Sequence, residues 1–108
     1  MANTFKNAKL LLTASLATIY TCPSATTAII FSMTITNIDG ANSADVTIEW
    51  EDNSDASADT DILSTVPVPP DTALQYPGKI VLEASDLIRG LASATNDLEV
   101  TLAILEIT

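Results

Sequence analysis

The segment Thr27-Ala28-Ile29-Ile30-Phe31-Ser32-Met33-Thr34-Ile35-Thr36 carries Ile29, Phe31, Met33 and Ile35 at odd positions, with Ser32, Thr34 and Thr36 between them. Successive side chains of an extended strand point to opposite faces, so this parity predicts a strand whose odd face is buried. Asp39-Gly40 then punctuates the chain. The polar stretch from Asn37 to Asp45 leads to Val46, Ile48 and Trp50, which alternate with Thr47, Glu49 and Glu51. The two strands read as a hairpin closed by a loop.

The same rhythm recurs in both directions. Glu51 to Asp61 contains no large apolar residue and reads as a solvated connection. Ile62 to Val68 is a strand closed by Pro67, Pro69 and Pro70, and proline places it at a sheet edge because it cannot donate to the ladder. Turns at Asp71-Thr72 and Pro77-Gly78 bracket a short segment, Ala73 to Tyr76, and Ile80 to Leu82 is a brief strand. Asp86 to Ala92 alternates well enough to be either a strand or one helical turn, and the strand reading is favoured. In the last segment Leu98, Val100, Leu102 and Ile104 share one parity, with Glu99 and Thr101 opposite. With Phe5 to Leu12 and Thr18 to Cys22 this makes about eight short strands, the pattern of a single all-β sandwich, either a jelly roll or immunoglobulin-like. The division expected is an N-terminal arm, residues 1–8, ahead of a sandwich domain, residues 9–108.

Composition narrows the chemistry. The 108 residues hold 4 Lys and Arg against 14 Asp and Glu, a net charge of −10, with no histidine. Without imidazole there is no Ser-His triad and no histidine-ligated zinc. Lys6, Lys9, Lys79 and Arg89 make no basic patch, so nucleic acid is not an expected partner. Cys22 stands alone and cannot form an internal disulfide. The apolar run from Leu10 to Ala17 is broken by Thr13 and Ser15 and is far shorter than the roughly 20 residues of a membrane helix. Lys6 and Lys9 ahead of Leu10 imitate a signal peptide only loosely, because the segment continues in strand style.

Asp55, Ser57, Asp59 and Asp61 offer alternating oxygen donors of the kind calcium takes, but lack the glycine and closing glutamate of a calcium loop. Glu49 and Glu51 are paired carboxylates on one strand face, as any polar strand offers, and no further catalytic group accompanies them. Cys22 reads as a buried inert thiol and Trp50 as a core residue near one end of the sandwich. No catalytic residue, metal site or cofactor is therefore expected. Leu105 and Ile107 put apolar side chains on the face of the last strand that should meet solvent, which points to a partner. The N-terminal segment before Leu10 carries two of the four cations, Lys6 and Lys9, and it either frays or docks across a neighbour. The expected interface residues are Phe5, Lys6, Lys9, Leu10, Leu105 and Ile107.

The order and spacing of Ile19-Tyr20-Thr21-Cys22-Pro23-Ser24-Ala25-Thr26-Thr27-Ala28-Ile29-Ile30, Thr36-Asn37-Ile38-Asp39-Gly40, Ser43-Ala44-Asp45-Val46-Thr47-Ile48, Thr65-Val66-Pro67-Val68-Pro69, Gly78-Lys79-Ile80-Val81-Leu82-Glu83-Ala84 and the ending Leu98 to Ile107 resemble small virion structural proteins of tailed bacteriophages, especially aquatic phages. The resemblance implies a non-enzymatic β-sandwich in many copies on the virion, assembled in the host cytoplasm. A capsid decoration or cement protein bridging capsid subunits is the first expectation, and a tail, neck or baseplate component the alternative. Its partners would be itself, as a homotrimer or other symmetric oligomer, and the major capsid protein or tail proteins, with no nucleic acid and no membrane. A carbohydrate-binding attachment module is a further alternative, for which Tyr20, Tyr76 and Trp50 are the available stacking residues.

Overall fold

The computed structural model describes residues 2–108. Nine strands follow in order: β1 (Asn3–Leu11), β2 (Ala17–Thr21), β3 (Thr27–Asn37), β4 (Ala44–Asp52), β5 (Ala58–Val68), β6 (Ala73–Tyr76), β7 (Ile80–Leu82), β8 (Leu87–Ala92) and β9 (Leu98–Ile107). A single 3-10 turn, Asn53–Asp55, sits between β4 and β5. The front sheet has the order β1-β9-β3-β6, with β7 also on β3, and the back sheet the order β2-β8-β4-β5. Every pairing is antiparallel.

The pairings are nested. β1 pairs with β9, β2 with β8, β3 with β6 and β7, and β4 with β5. A long hairpin rolled so that its halves stack as two sheets gives this pattern, which is the jelly roll and not the immunoglobulin sandwich. Rolling adds the contacts β9 to β3 and β8 to β4. One consequence corrects the hairpin expected between β3 and β4, since these strands lie in different sheets. The segment between them is a crossing, pinned by buried Asn37. Its Nδ2 donates to the carbonyls of Asn42 and Val68, each at 2.9 Å, and its Oδ1 accepts from Asp39 N at 2.8 Å.

The core lies between the sheets. Ile30, Met33, Ile35, Leu82, Leu98, Val100 and Ile104 of the front sheet meet Val46, Ile48, Val68 and Ile88 of the back sheet, all fully buried, with Leu12 at the first corner. Burying a side chain of this class stabilises the fold by about 1.5–3 kcal/mol, which conformational entropy largely offsets. Gly90 fits where β8 passes beneath both neighbours: a Cβ there would lie 2.9 Å from Ile48 Cδ1 and 3.0 Å from Ile19 Cδ1.

The parity expected for β3 holds only in part. Met33 and Ile35 are buried, but upstream it is Ala28 and Ile30 that face the core, while Ile29 and Phe31 face outward. The register against β9 slips between Ile30 and Ser32, so Phe31 is the extra residue of a β-bulge, and one inserted residue exchanges the two faces of a strand. The acidic connection is also shorter than expected. β4 and β5 continue to Asp52 and Ala58, leaving a tip at residues 53–57 that turns through left-handed Ala56 and Ser57. Main-chain ladder bonds hold this extension without apolar side chains. Residues 3–8, expected within an arm, lie in β1, paired with β9 of the same chain along their whole length. β9 contributes two apolar faces here, and Ala8 and Leu10 of β1 pack against the inner one.

Candidate interaction faces

Strand parity sorts the outward residues of the front sheet into an apolar end and a polar end. Phe5 on β1 stands opposite Leu105 on β9, Leu105 opposite Ile29 on β3, and Ile29 opposite Val81 on β7. These four side chains therefore form one row across the sheet. Phe31 joins it through an edge-to-face contact with Phe5, ring centroids 6.0 Å apart at 84°, and Ile107 flanks Leu105 one pleat away. Phe5 is 74% exposed, Val81 57% and Phe31 37%. Phe5 packs on its neighbours in the sheet and leaves most of its ring to water, a costly placement unless something covers it. Towards the other end of the same face the residues turn to Lys9, Thr101, Thr34, Thr36 and Glu99, with Leu11, 40% exposed, the one large apolar side chain among them.

The outer face of the back sheet has the opposite character. Glu49 stands opposite Asp61 and Glu51 opposite Asp59, with Arg89 as the neighbour of Glu49 on β8. Arg89 Nη1 donates to Glu51 Oε1 at 3.1 Å. Burial first, then Asp59 and Asp61, push the Glu49 carboxyl above its usual range. Like charges directly across a ladder repel, so this face disfavours close approach by another acidic surface. The sandwich is thus apolar at one end of its front and acidic on its back.

Between the sheets, below the apolar row, lies a polar bridge. Glu106 is only 6% exposed. It accepts a 2.5 Å hydrogen bond from the Tyr20 hydroxyl of the back sheet, and Lys6 Nζ lies 3.1 Å away. The Tyr20 bond, with help from Lys6, holds the Glu106 carboxyl below the usual range, while burial and then Glu106 itself push the Tyr20 phenol well up. This is a structural tie between two layers, with all three groups partnered.

The residues expected at an interface therefore separate. Phe5, Lys9, Leu105 and Ile107 lie on the outer front face, with Phe5 and Lys9 exposed and Leu105 and Ile107 half-buried. Lys6 and Leu10 have the other parity: Lys6 reaches Glu106 at the sandwich rim and Leu10 packs against the core. Ile29, Phe31 and Val81 belong to the face and were missed. The signal for Val81 was present, since Ile80-Val81-Leu82 cannot all point inward.

Other candidates resolve as structure. Asp59 and Asp61 belong to β5 and Asp55 to the tip turn. Among the described residues the carboxylates that converge are Asp52, Glu83 and Asp86, within 4.8 Å of one another. Asp86 is fully buried and accepts from Glu83 N at 2.9 Å, Asn53 N at 3.0 Å and Trp50 Nε1 at 3.3 Å. It acts as a clasp for the β4–β5 tip and the β7–β8 turn. Trp50 and Tyr76 are partly buried against the core and Tyr20 is tied to Glu106. Cys22 is buried, its Sγ 3.3 Å from the Thr26 carbonyl, and burial raises its thiol pKa.

No family model matches the sequence, and no curated protein matches it. Solved structures share the fold. The chain is similar to a protein of the Bacillus endospore appendages, described as a novel family of disulfide-linked pili, with a TM-score of 0.60 and 16% identity over 99% of this chain and 87% of that one. It is similar to a chain of the acid-stable capsid of Helicobacter pylori bacteriophage KHP30, with a TM-score of 0.57 and 10% identity over 100% and 89% of the two chains. It is similar to a chain of the T13 IBDV viral particle at a TM-score of 0.59 and 5% identity, covering 96% of this chain but 30% of the other.

Proposed function

We propose that this chain is a non-enzymatic structural subunit of a phage virion, a decoration or cement protein that docks on the capsid through the apolar end of its front face. The observation that carries the reading is the outward-facing row of Phe5, Leu105, Ile29 and Val81 with Phe31 beside it, on a sandwich whose other face is acidic. A face of that kind gains from being covered, and the acidic back would remain in water, where it discourages stacking of further copies. Repetition over a lattice turns a modest contact into firm attachment. The fold supports the reading through its likeness to capsid chains, yet it is shared with a pilus subunit, so the faces carry more weight than the fold. A disulfide-linked assembly like those pili is disfavoured, because the one cysteine of this sequence is buried.

The test is attachment to purified virion shells lacking the protein. Wild type should co-sediment with the shells in hundreds of copies, as expected for a symmetric lattice. The double substitution Leu105→Thr with Ile107→Thr should fold and fail to co-sediment. Retention of the double variant on the shells would refute the apolar face as the docking surface, and a stoichiometry of about six to twelve would place the protein on the tail axis instead.

A further inference from the structure

Each sheet has two edges, and three of the four are blunted. β2 is five residues long and bulges between Thr18 and Tyr20. β5 slips register twice against β4, holds Thr65 at a φ of 46° and carries Pro67. The edge formed by β6 and β7 is cut at Pro77-Gly78 into pieces of four and three residues. These are the devices by which sheets avoid pairing with other chains. β1 is the exception in its backbone: it runs nine residues in unbroken register with β9, without proline or bulge, and the charges on it are Lys6 and Lys9.

The direction of its free groups follows from the ladder. Ala2 and Thr108 exchange both main-chain bonds, at 3.2 and 2.9 Å, and Leu12 N donates to Leu98 O at 2.8 Å. Bonded and non-bonded pairs alternate in an antiparallel ladder, so the even residues of β1 bond to β9. Asn3, Phe5, Asn7, Lys9 and Leu11 turn their N–H and C=O groups away from the sheet, and all five are exposed.

We propose that this edge is an interaction surface for a second copy of the chain, whose β1 adds antiparallel to it about a two-fold axis at Asn7. Full overlap of the two strands sets Asn3 against Leu11 of the second copy, Phe5 against Lys9, and Asn7 against Asn7. Every outward N–H and C=O then meets a partner. The lysines fit this register: the Lys9 stem and ammonium lie beside the Phe5 ring, a favourable cation–π placement, and Lys6 lies opposite Ala8. Shifting the axis by one residue towards the N-terminus would instead set Lys6 against Lys6. The front sheets merge across the axis, and because paired residues share a face, the two apolar rows come to the same side. The inference concerns self-association and does not require that the docking target be a virion.

The experiment is light scattering on the full chain over a concentration series, with residue-resolved amide exchange on the same samples. Wild type should pass from monomer to dimer, and the amides of Phe5, Asn7 and Lys9 should slow at least about tenfold as the dimer fills, while even-numbered β1 amides stay protected throughout. Asn7→Pro removes an outward N–H and no bond to β9, so it should remain folded and monomeric. A wild-type monomer at concentrations up to about 1 mM overturns the proposal. So does a dimer in which those odd amides still exchange freely, or a folded Asn7→Pro that dimerises like wild type. Should Asn7→Pro not fold, the wild-type exchange pattern alone decides. A dimer abolished by Leu105→Thr with free odd amides would overturn strand addition yet leave the apolar docking face standing.

Discussion

Replacing Tyr20 with Phe removes one oxygen atom and isolates the tie between the sheets. The Tyr20 hydroxyl is bonded at 2.5 Å to a carboxylate that is 6% exposed. Hydrogen bonds to charged groups contribute about 1.5–3 kcal/mol. Lys6 continues to neutralise Glu106 in the variant, but its side chain is 51% exposed, so its compensation is weak and screened. The expected loss is about 2 kcal/mol at pH 7, or roughly 8–10 °C in Tm for a domain of this size. Urea unfolding followed by tryptophan fluorescence gives the number directly, because Trp50 is the single tryptophan. The pH dependence supplies a second signature. Glu106 has a lowered pKa in the folded state, so its contribution is present above the unfolded carboxylate pKa and is lost as the pH falls through the folded value. The gap between wild type and Tyr20→Phe should therefore narrow in acid. Tyr20 has a raised pKa, with burial the main cause, so wild-type stability should also decline as the pH climbs above the ordinary phenol range of about 10, and the variant should lack that decline. A difference below about 0.5 kcal/mol at pH 7, constant down to pH 3, would refute the reasoning.

Two further substitutions test the packing. Asn37→Ala should cost about 2–3 kcal/mol, since it strips the Asn42 carbonyl and the Asp39 amide of partners at the crossing between sheets and leaves Val68 O with Ser43 Oγ at 3.3 Å; chemical denaturation measures it. Gly90→Ala should cost about 1 kcal/mol through contact with the Ile48 and Ile19 methyls. Adding Ile48→Val removes the closer methyl, so a double-mutant cycle should show favourable coupling between the two changes.

The fold class was legible because alternation is a local property of strands, and β9 reads correctly from Leu98 to Ile104 in the sequence alone. The identity of the sandwich was not. Nothing local in Asn37 to Asp45 tells whether the chain turns back on β3 or crosses to the other sheet; buried Asn37, bonded to Val68 from a distant strand, settles it in three dimensions. The slip at Phe31 hid half of the apolar face in the same way, since Ile29 and Phe31 keep the parity of core residues while standing beyond a bulge. Leu10 and Lys6 were assignable. They differ in parity from Phe5, so one strand could not present all three on one face, and Leu105 and Ile107 differ likewise from the core residues of β9.

The nested pairing also sets the timing of folding during synthesis. β9, the last of the nine strands in chain order, lies in the middle of the front sheet between β1 and β3. Until residues 98–107 leave the ribosome, those two strands have no common neighbour. Synthesis at about 5–20 residues per second leaves the earlier strands waiting for several seconds. Ladders that join the first strand to the last belong to the slow, non-local class of folders. A ribosome-stalled chain ending before Leu98 should therefore be protease-sensitive throughout, and structure should arrive in a single step once residues 98–107 have emerged.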